Sequence, residues 1–170
     1  MEQEEIFPLV SETGQTIGQA TRSLCHNGSF LLHPVVHLHV INKQGDVFLQ
    51  KRAENKDIQP GKWDTAVGGH MHLEESILEA LKREACEELG LDLTQLQPRF
   101  LFQYAMTTDR EREWVSSYMI CYEGPFQLQT EEISEGRFWS QEEIRNHIGT
   151  DQFTPNFEIE WQRLQQYIPH

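Results

Sequence analysis

Apolar and polar positions along the chain divide it into recognisable segments. Ile6 to Val10 and Thr16 to Thr21 flank Ser-Glu-Thr-Gly-Gln, which predicts an N-terminal hairpin. Val35 to Ile41 and Val47 to Gln50, joined by Asn-Lys-Gln-Gly-Asp, predict a second one. Residues 52–62 are polar and end in Pro60-Gly61, the composition of a surface loop. Ser76 to Leu89 carries the clearest helical period, and Gly90 stands where such a helix stops. Phe100 to Met106 and Trp114 to Tyr122 read as strands on either side of charged Asp109 to Glu113. Gln141 to His147 and Asn156 to Tyr167 read as closing helices, the second opened by Thr154-Pro155. Strands interleaved with helices predict an α/β chain whose sheet is covered on both faces. No repeat, linker or low-complexity stretch divides residues 1–170, so one domain is expected.

Charge narrows the partners. The chain has 27 acidic against 14 basic side chains, a formal charge of −13. Such a surface repels phosphate backbones and anionic lipid, which argues against a nucleic-acid polymer or a membrane as partner. A small anionic substrate stays open, because a bound divalent cation inverts the local field. Cys25, Cys86 and Cys121 are odd in number and lie outside any CxxC pattern, so they read as free thiols of a reducing compartment. The start, Met-Glu-Gln-Glu-Glu, lacks the apolar core of a signal peptide, and no apolar run is long enough to span a bilayer. A cytoplasmic location is therefore expected, with homo-oligomerisation left open.

The helix from Ser76 holds the candidate chemistry. Ile77, Leu78, Leu81, Ala85 and Leu89 form one stripe that should pack on the sheet. Glu84, Glu87 and Glu88 follow i, i+3, i+4 spacing and share a second face. That arrangement is unfavourable for a bare helix. The Glu84–Glu88 repulsion costs about 0.2–0.5 kcal/mol on an exposed face, and the C-terminal end of the dipole disfavours anions. A hard cation reverses the balance, since Mg²⁺ takes carboxylate oxygens together with substrate phosphates. Just before the helix, Val67-Gly68-Gly69-His70 supplies paired glycines that let backbone approach a ligand or metal.

These residues carry a resemblance. Gly69, five residues, Glu75, seven residues, Arg83-Glu84-Ala85, one residue, Glu87-Glu88, one residue, Gly90-Leu91 resembles the Nudix box position for position. The resemblance implies a Nudix-type α/β/α sandwich with a central mixed sheet. It implies Glu84, Glu87 and Glu88 as ligands of Mg²⁺ or Mn²⁺, with the Gly69 carbonyl within reach of the metal. It also implies that Glu75 holds Arg83 as a brace of the loop-helix-loop, and that Gly90 closes it. The activity implied is attack of water on a phosphorus of a diphosphate linkage in a small soluble substrate such as a nucleoside diphosphate derivative. Arg83, Glu84, Glu87 and Glu88 are the catalytic set. Glu87 or Glu88 can serve as general base, as can a loop acid such as Glu131 or Glu132.

A second likeness extends over most of the chain. Gly61-Lys62-Trp63-Asp64, Gly68-Gly69-His70 and Gln50-Lys51-Arg52 resemble isopentenyl-diphosphate isomerase and hydrolases similar to it. By that likeness His26, His33 and His70, with Glu111 and Glu113, match a second metal site, whose donor types suit a transition metal better than Mg²⁺. The departure is at Gly68, where the isomerase pattern has its catalytic cysteine; the hydrolytic box, altered in the isomerases, is intact here. Hydrolysis is thus expected over isomerisation, and over a non-catalytic ligand-binding module, whose box would lose metal ligands. Arg52 and Lys62 are candidate phosphate contacts. His37 and His39 share one side of a strand, where they either line a pocket or sit as half-buried polar residues. Phe102, Tyr104, Trp63 and Trp114 are expected in the core.

Overall fold

The strand that organises the molecule is buried on both faces along its whole length. It is the third in the chain, and its burial explains why its histidines matter more than their polarity suggests. The structure is a computed structural model that describes residues 3–56 and 58–169. Residues 1 and 2 of the acidic start, residue 57 of the expected loop, and residue 170 lie outside the described residues.

In chain order the elements are β1 (Ile6–Val10), β2 (Thr16–Thr21), α1 (Arg22–Cys25), β3 (Leu32–Ile41), β4 (Val47–Arg52), β5 (Trp63–Thr65), β6 (Val67–His70), α2 (Ile77–Leu89), β7 (Arg99–Thr107), β8 (Arg112–Cys121), β9 (Ile133–Trp139), α3 (Gln141–His147) and α4 (Pro155–Leu164), the last running into a 3₁₀ turn over Gln165–Tyr167. β1 and β2 form the expected hairpin, a two-stranded sheet of their own. The main sheet has seven strands in the order β5-β4-β3-β8-β7, with β6 added to β3 and β9 to β4. It is mixed: β3 and β8 run parallel from Leu32↔Arg112 to Ile41↔Cys121, and the other pairs are antiparallel.

The hairpin expected between β3 and β4 exists only at its mouth. Ile41↔Val47 is their sole register pair, beyond which β4 turns to β5 and β9 while β3 takes up β6. That divergence opens a cleft between the two halves of the sheet. Helices cover both faces, as the sandwich expectation required. Val36, Leu38 and Val40 pack with Ala80, Leu81, Ala85 and Leu89 of α2. Ile41, Val47 and Leu49 pack with Ile144 of α3 and Phe157, Trp161 and Leu164 of α4. The α2 stripe differs in one member: Leu78 is exposed and Ala80 is buried in its place, because Leu78 lies at the margin of the face that Leu81 and Ala85 define. No helix among the described residues is long and apolar enough to cross a membrane.

Candidate active site and metal centre

α2 is fixed at both ends before its acids are considered. Ser76 caps it in a reciprocal capping box with Glu79, and Gly90 closes it in the left-handed conformation at φ 67°, accepting no Cβ penalty. Four buried apolar residues hold its inner face. The flank of that face that carries Glu84 and Glu88 meets β6. There the paired glycines matter, since a Cβ at Gly69 would collide with the Glu84 carboxyl group. Bare backbone lets the Glu84 and Glu88 carboxylates lie against β6.

Arg83 binds this edge together. Its Nε and one terminal nitrogen donate to both Glu75 oxygens at 2.8 and 2.9 Å, and it also donates to the His70 carbonyl at 2.9 Å and to Glu84 at 2.7 Å. The Glu75–Arg83 brace is thus observed as a two-point contact, with the helix tied to the end of β6 through the same guanidinium. Glu88 accepts from Gln50 Nε2 at 3.0 Å and from the Gly68 amide at 3.2 Å, with no cationic side chain on it. Burial pushes its carboxyl up to about 8, against those two hydrogen bonds and with help from Glu84. Burial also raises Glu84. Glu87 is more exposed and lies 3.6 Å from Arg83.

A second cluster stands at the other end of the same cleft. One ligand atom each from His26, His33, His70 and Glu111 lies within 4.8 Å of the others; the carboxylates of Glu84, Glu87 and Glu88 form no group this tight. His33 is fully buried, and its Nδ1 lies 2.9 Å from the Leu31 carbonyl. A carbonyl only accepts, so Nδ1 carries a proton and Nε2 is left facing the cluster. Glu111 Oε2 is 2.9 Å from His26 Nε2 and 3.4 Å from His33 Nε2. Yet neither His33 Nε2 nor Glu111 Oε2 has a hydrogen-bonding partner among the described residues. Close contact without mutual alignment is how ligands around a shared centre sit. This donor set fits a transition metal.

Electrostatics agree with that fit at Glu111 and His70, whereas at His33 burial works downward but Glu111 and the Leu31 carbonyl raise the ring. Burial works to raise Glu111, but His26 and His33 outweigh it and hold the carboxyl well below the usual range. Burial and the neighbouring His33 push His70 well down, leaving a neutral ring of the kind a metal needs. Phe7 of β1 roofs the cluster, stacked on His70 with centroids 4.3 Å apart. Glu113 sits just outside the group of four. It is 3.9 Å from His70, accepts from Asn156 at 3.2 Å, and is pushed up to about 7 by burial and by Glu111.

A cleft of about 330 Å³ joins the two clusters and is lined by Glu84, Glu87, Glu88, Gly69, His26, His70, Glu111 and Glu113, among others. Arg52 lines it too, with its Nε donating to the Ile58 carbonyl. Lys62 does not. Its ammonium pairs with Asp151 at 2.6 Å, because Trp63 turns inward and its neighbour faces the other way. Lys56, paired with Glu132, occupies the rim where Lys62 was expected. Glu132 is at the cleft, and Glu131 is exposed outside it. Trp63 and Tyr104 are core residues as expected, whereas Trp114 lines a separate cavity of about 660 Å³ under the β1–β2 hairpin.

Sequence reasoning left Gln50 and Glu160 unassigned and offered pocket lining for His37 only beside a half-buried polar reading. Gln50 reaches Glu88 from β4, His37 lines the cleft from β3, and Glu160 of α4 is fully buried. Glu160 had a readable signal: with Phe157, Trp161 and Leu164 it falls on the apolar stripe of its helix, where an acid needs partners.

Comparison with known proteins places the fold in a class. The NUDIX domain model matches residues 31–157, and the chain belongs to the Nudix family. It is 32% identical over 152 residues to "Uncharacterized Nudix hydrolase YfcD" of Salmonella typhi, covering 89% of this chain and 80% of that relative. It is 27% identical over 165 residues to isopentenyl-diphosphate Delta-isomerase 1 of Photorhabdus laumondii, covering 93% of each. The crystal structure of DR0079 from Deinococcus radiodurans shares the fold, with a TM-score of 0.81 and 24% identity over 94% of this chain and 99% of that one. The chain is accordingly an enzyme of the Nudix hydrolase class.

Proposed function

We propose that the chain, residues 1–170 acting as one domain, is a metal-dependent pyrophosphohydrolase that cleaves the diphosphate linkage of a small soluble substrate in the cytoplasm, such as a nucleoside diphosphate derivative. The observation that carries this reading is Glu88. Its carboxyl is recessed beside Glu84 against bare glycine backbone, with two hydrogen bonds and no cation to balance it. A divalent ion supplies that balance.

Glu84 and Glu88, with Glu87 and the Gly69 carbonyl, would hold Mg²⁺ or Mn²⁺. That ion, when bound, neutralises phosphate oxygens and makes a coordinated water more acidic. The chain's own groups do the rest. Arg83 keeps Glu84 aimed at the cleft while tied to Glu75. Gln50 and the Gly68 amide orient Glu88. Arg52 and Lys56 at the rim offer positive charge to the substrate's phosphates. The water's proton passes to a carboxylate among Glu87, Glu88 and Glu132, and Glu131 is set aside because it does not reach the cleft. A second, transition metal would sit among His26, His33, His70 and Glu111, with Glu113 beside them.

An isomerase reading draws on that histidine cluster. No cysteine among the described residues lines the cleft: Gly68 stands at the cysteine position, Cys25 is buried behind it against Phe7 and Ala20, near enough to Glu111 to feel its charge, and Cys86 and Cys121 are exposed away from the cleft lining. The test is phosphate or nucleotide release from a panel of dinucleotides, nucleotide sugars, oxidised nucleotides and isopentenyl diphosphate with Mg²⁺ or Mn²⁺, beside Glu88→Gln. Turnover of some panel members is expected, and the variant should lose at least about 100-fold, more than the 10–100-fold typical of a residue that merely orients a ligand. A folded, cation-binding protein that turns over nothing would move the binding-module reading ahead.

A further inference from the structure

The floor of the cleft carries a histidine outside both metal clusters. His37 of β3 lies directly beneath Gly68: a Cβ there would be 3.5 Å from His37 Cδ2 and 3.7 Å from Nε2. Its Nδ1 is 3.1 Å from each oxygen of Glu160. A carboxylate accepts, so Nδ1 carries a proton and points away from the cleft. Nε2 lies on the Gly68 side, at the cleft lining, and makes no hydrogen bond among the described residues.

Glu160 is arranged to hold that ring still. Fully buried, it accepts from Tyr104 at 2.8 Å and Ser117 at 3.0 Å, and its second oxygen lies 2.5 Å from His39 Nε2. Groups from β3, β7 and β8 thus converge on one carboxylate of α4. Stability alone is a weak reason to keep such a network, since apolar residues of similar volume often serve as well. Its opening onto the cleft gives it a second purpose.

Building on the hydrolase reading above, we propose that His37 donates its Nε2–H to a phosphate oxygen of the diphosphate bound in the cleft, making it a further catalytic residue, with Glu160 as its positioning residue. The surroundings favour this role. Besides Glu160 on α4, the charged groups near His37 are Asp64 on β5 and Glu113 on β8, with His39 on its own strand and Tyr104 on β7 meeting Glu160 rather than the cleft. The charged groups that act on it, Glu160, Glu113 and Asp64, are all carboxylates, so at this point of the cleft His37 is, among the described residues, the one charged side chain able to donate to an anion. Burial works against its charge, but Glu160 outweighs burial and moves the ring up to about 9, so both nitrogens are protonated at neutral pH.

The test is titration of inorganic pyrophosphate, with saturating Mg²⁺, into the full chain and into His37→Asn and His37→Gln, with melting temperatures measured alongside. Asn keeps an amide near the Nδ1 position that meets Glu160 and removes the cleft-facing atom; Gln reaches the Nε2 position. Asn should weaken pyrophosphate binding about tenfold, the loss of a hydrogen bond to a charged group, while Gln recovers part of it. A purely structural His37 gives the reverse order, with Asn behaving as wild type and Gln impaired, and that result overturns the proposal. The unmutated chain supplies a check that does not depend on variants folding: the His37 ¹⁵Nε2 resonance should shift on adding pyrophosphate, and an unmoved resonance at saturation also overturns it. Pyrophosphate binding needs no turnover, so a Glu88→Gln variant that still hydrolysed the panel would sink the metal mechanism and leave this result readable on its own.

Discussion

The two ends of the cleft hold their metal-capable side chains differently. At the strand end, His26, His33, His70 and Glu111 already bring four ligand atoms within 4.8 Å of one another, roofed by Phe7. At the helix end, Glu84 leans on Arg83, Glu88 on Gln50 and the Gly68 amide, and Glu87 lies out toward solvent. Imidazoles can be neutral, so one carboxylate among three of them gathers at little electrostatic cost. Three carboxylates repel, and in a recessed site they stay apart or hold a proton until a cation arrives. The glutamate site is thus arranged as a scaffold, with Arg83 and the glycines pre-placed, whose carboxylates a cation would draw together. The histidine site is built as a finished cage.

That contrast can be broken by separating the two sites. The largest effect is expected from His33→Ala on metal-linked stability. A transition metal such as Mn²⁺ or Zn²⁺ at about a thousand times its dissociation constant stabilises a single-site protein by about 4 kcal/mol. The variant should lose that contribution from the cage while Glu88→Gln keeps it. Equal loss in both variants, read by thermal melting with and without metal, would merge the two sites into one.

Arg83→Lys sharpens the scaffold half of the comparison. Lysine keeps the charge but cannot span Glu75, Glu84 and the His70 carbonyl together. Hydrolysis and Mg²⁺ affinity should fall by about 10–100-fold, with Mn²⁺ binding at the cage unchanged. A variant as active as wild type would show that the brace is dispensable.

The smallest effect concerns pH. The folded chain keeps Glu88 protonated up to about 8, against an ordinary value of 4.5. The folded state thus binds the extra proton, and metal-free stability contributed by this group is lost as pH rises from 4.5 to 8. Glu88→Gln removes the loss. Its metal-free melting temperature at pH 8 should exceed that of wild type by about 2–4 °C, the shift given by 1 kcal/mol in a chain of this size, and the difference should shrink at pH 5. Identical curves at both values would mean that Glu88 is not strained by burial.

Much of this was legible in the chain because it is written locally. The capping residue Ser76, the stop at Gly90 and the fixed spacings from Gly69 to Glu88 all act within one loop and one helix, so residue identity suffices. Strands β5, β6 and β9 were missed for the same physical reason. Val67-Gly68-Gly69-His70 has too few side chains to show a period, and β9 interrupts its alternation with Ser134, Glu135 and Gly136. The hairpin reading of β3 and β4 held only at Ile41↔Val47, because the rest of each strand's register is set by distant partners, β8 and β9, that no local pattern announces. Lys62 was misplaced because its ammonium pairs with Asp151, 89 residues further along the chain, and stays off the cleft lining. His37 was readable as a strand residue on a chosen side, but its meaning depends on Glu160, 123 residues away.

The central claim is that water, activated at the helix end of the cleft, breaks a diphosphate linkage. The measurement that meets it most directly is reaction in ¹⁸O-labelled water with Mg²⁺ or Mn²⁺, over nucleoside diphosphate derivatives and isopentenyl diphosphate, with products read by mass spectrometry. The account predicts one ¹⁸O in a phosphate product for each linkage cleaved, and no such product above background from Glu88→Gln. Isopentenyl diphosphate returned with its double bond moved and its diphosphate unlabelled and intact would contradict it.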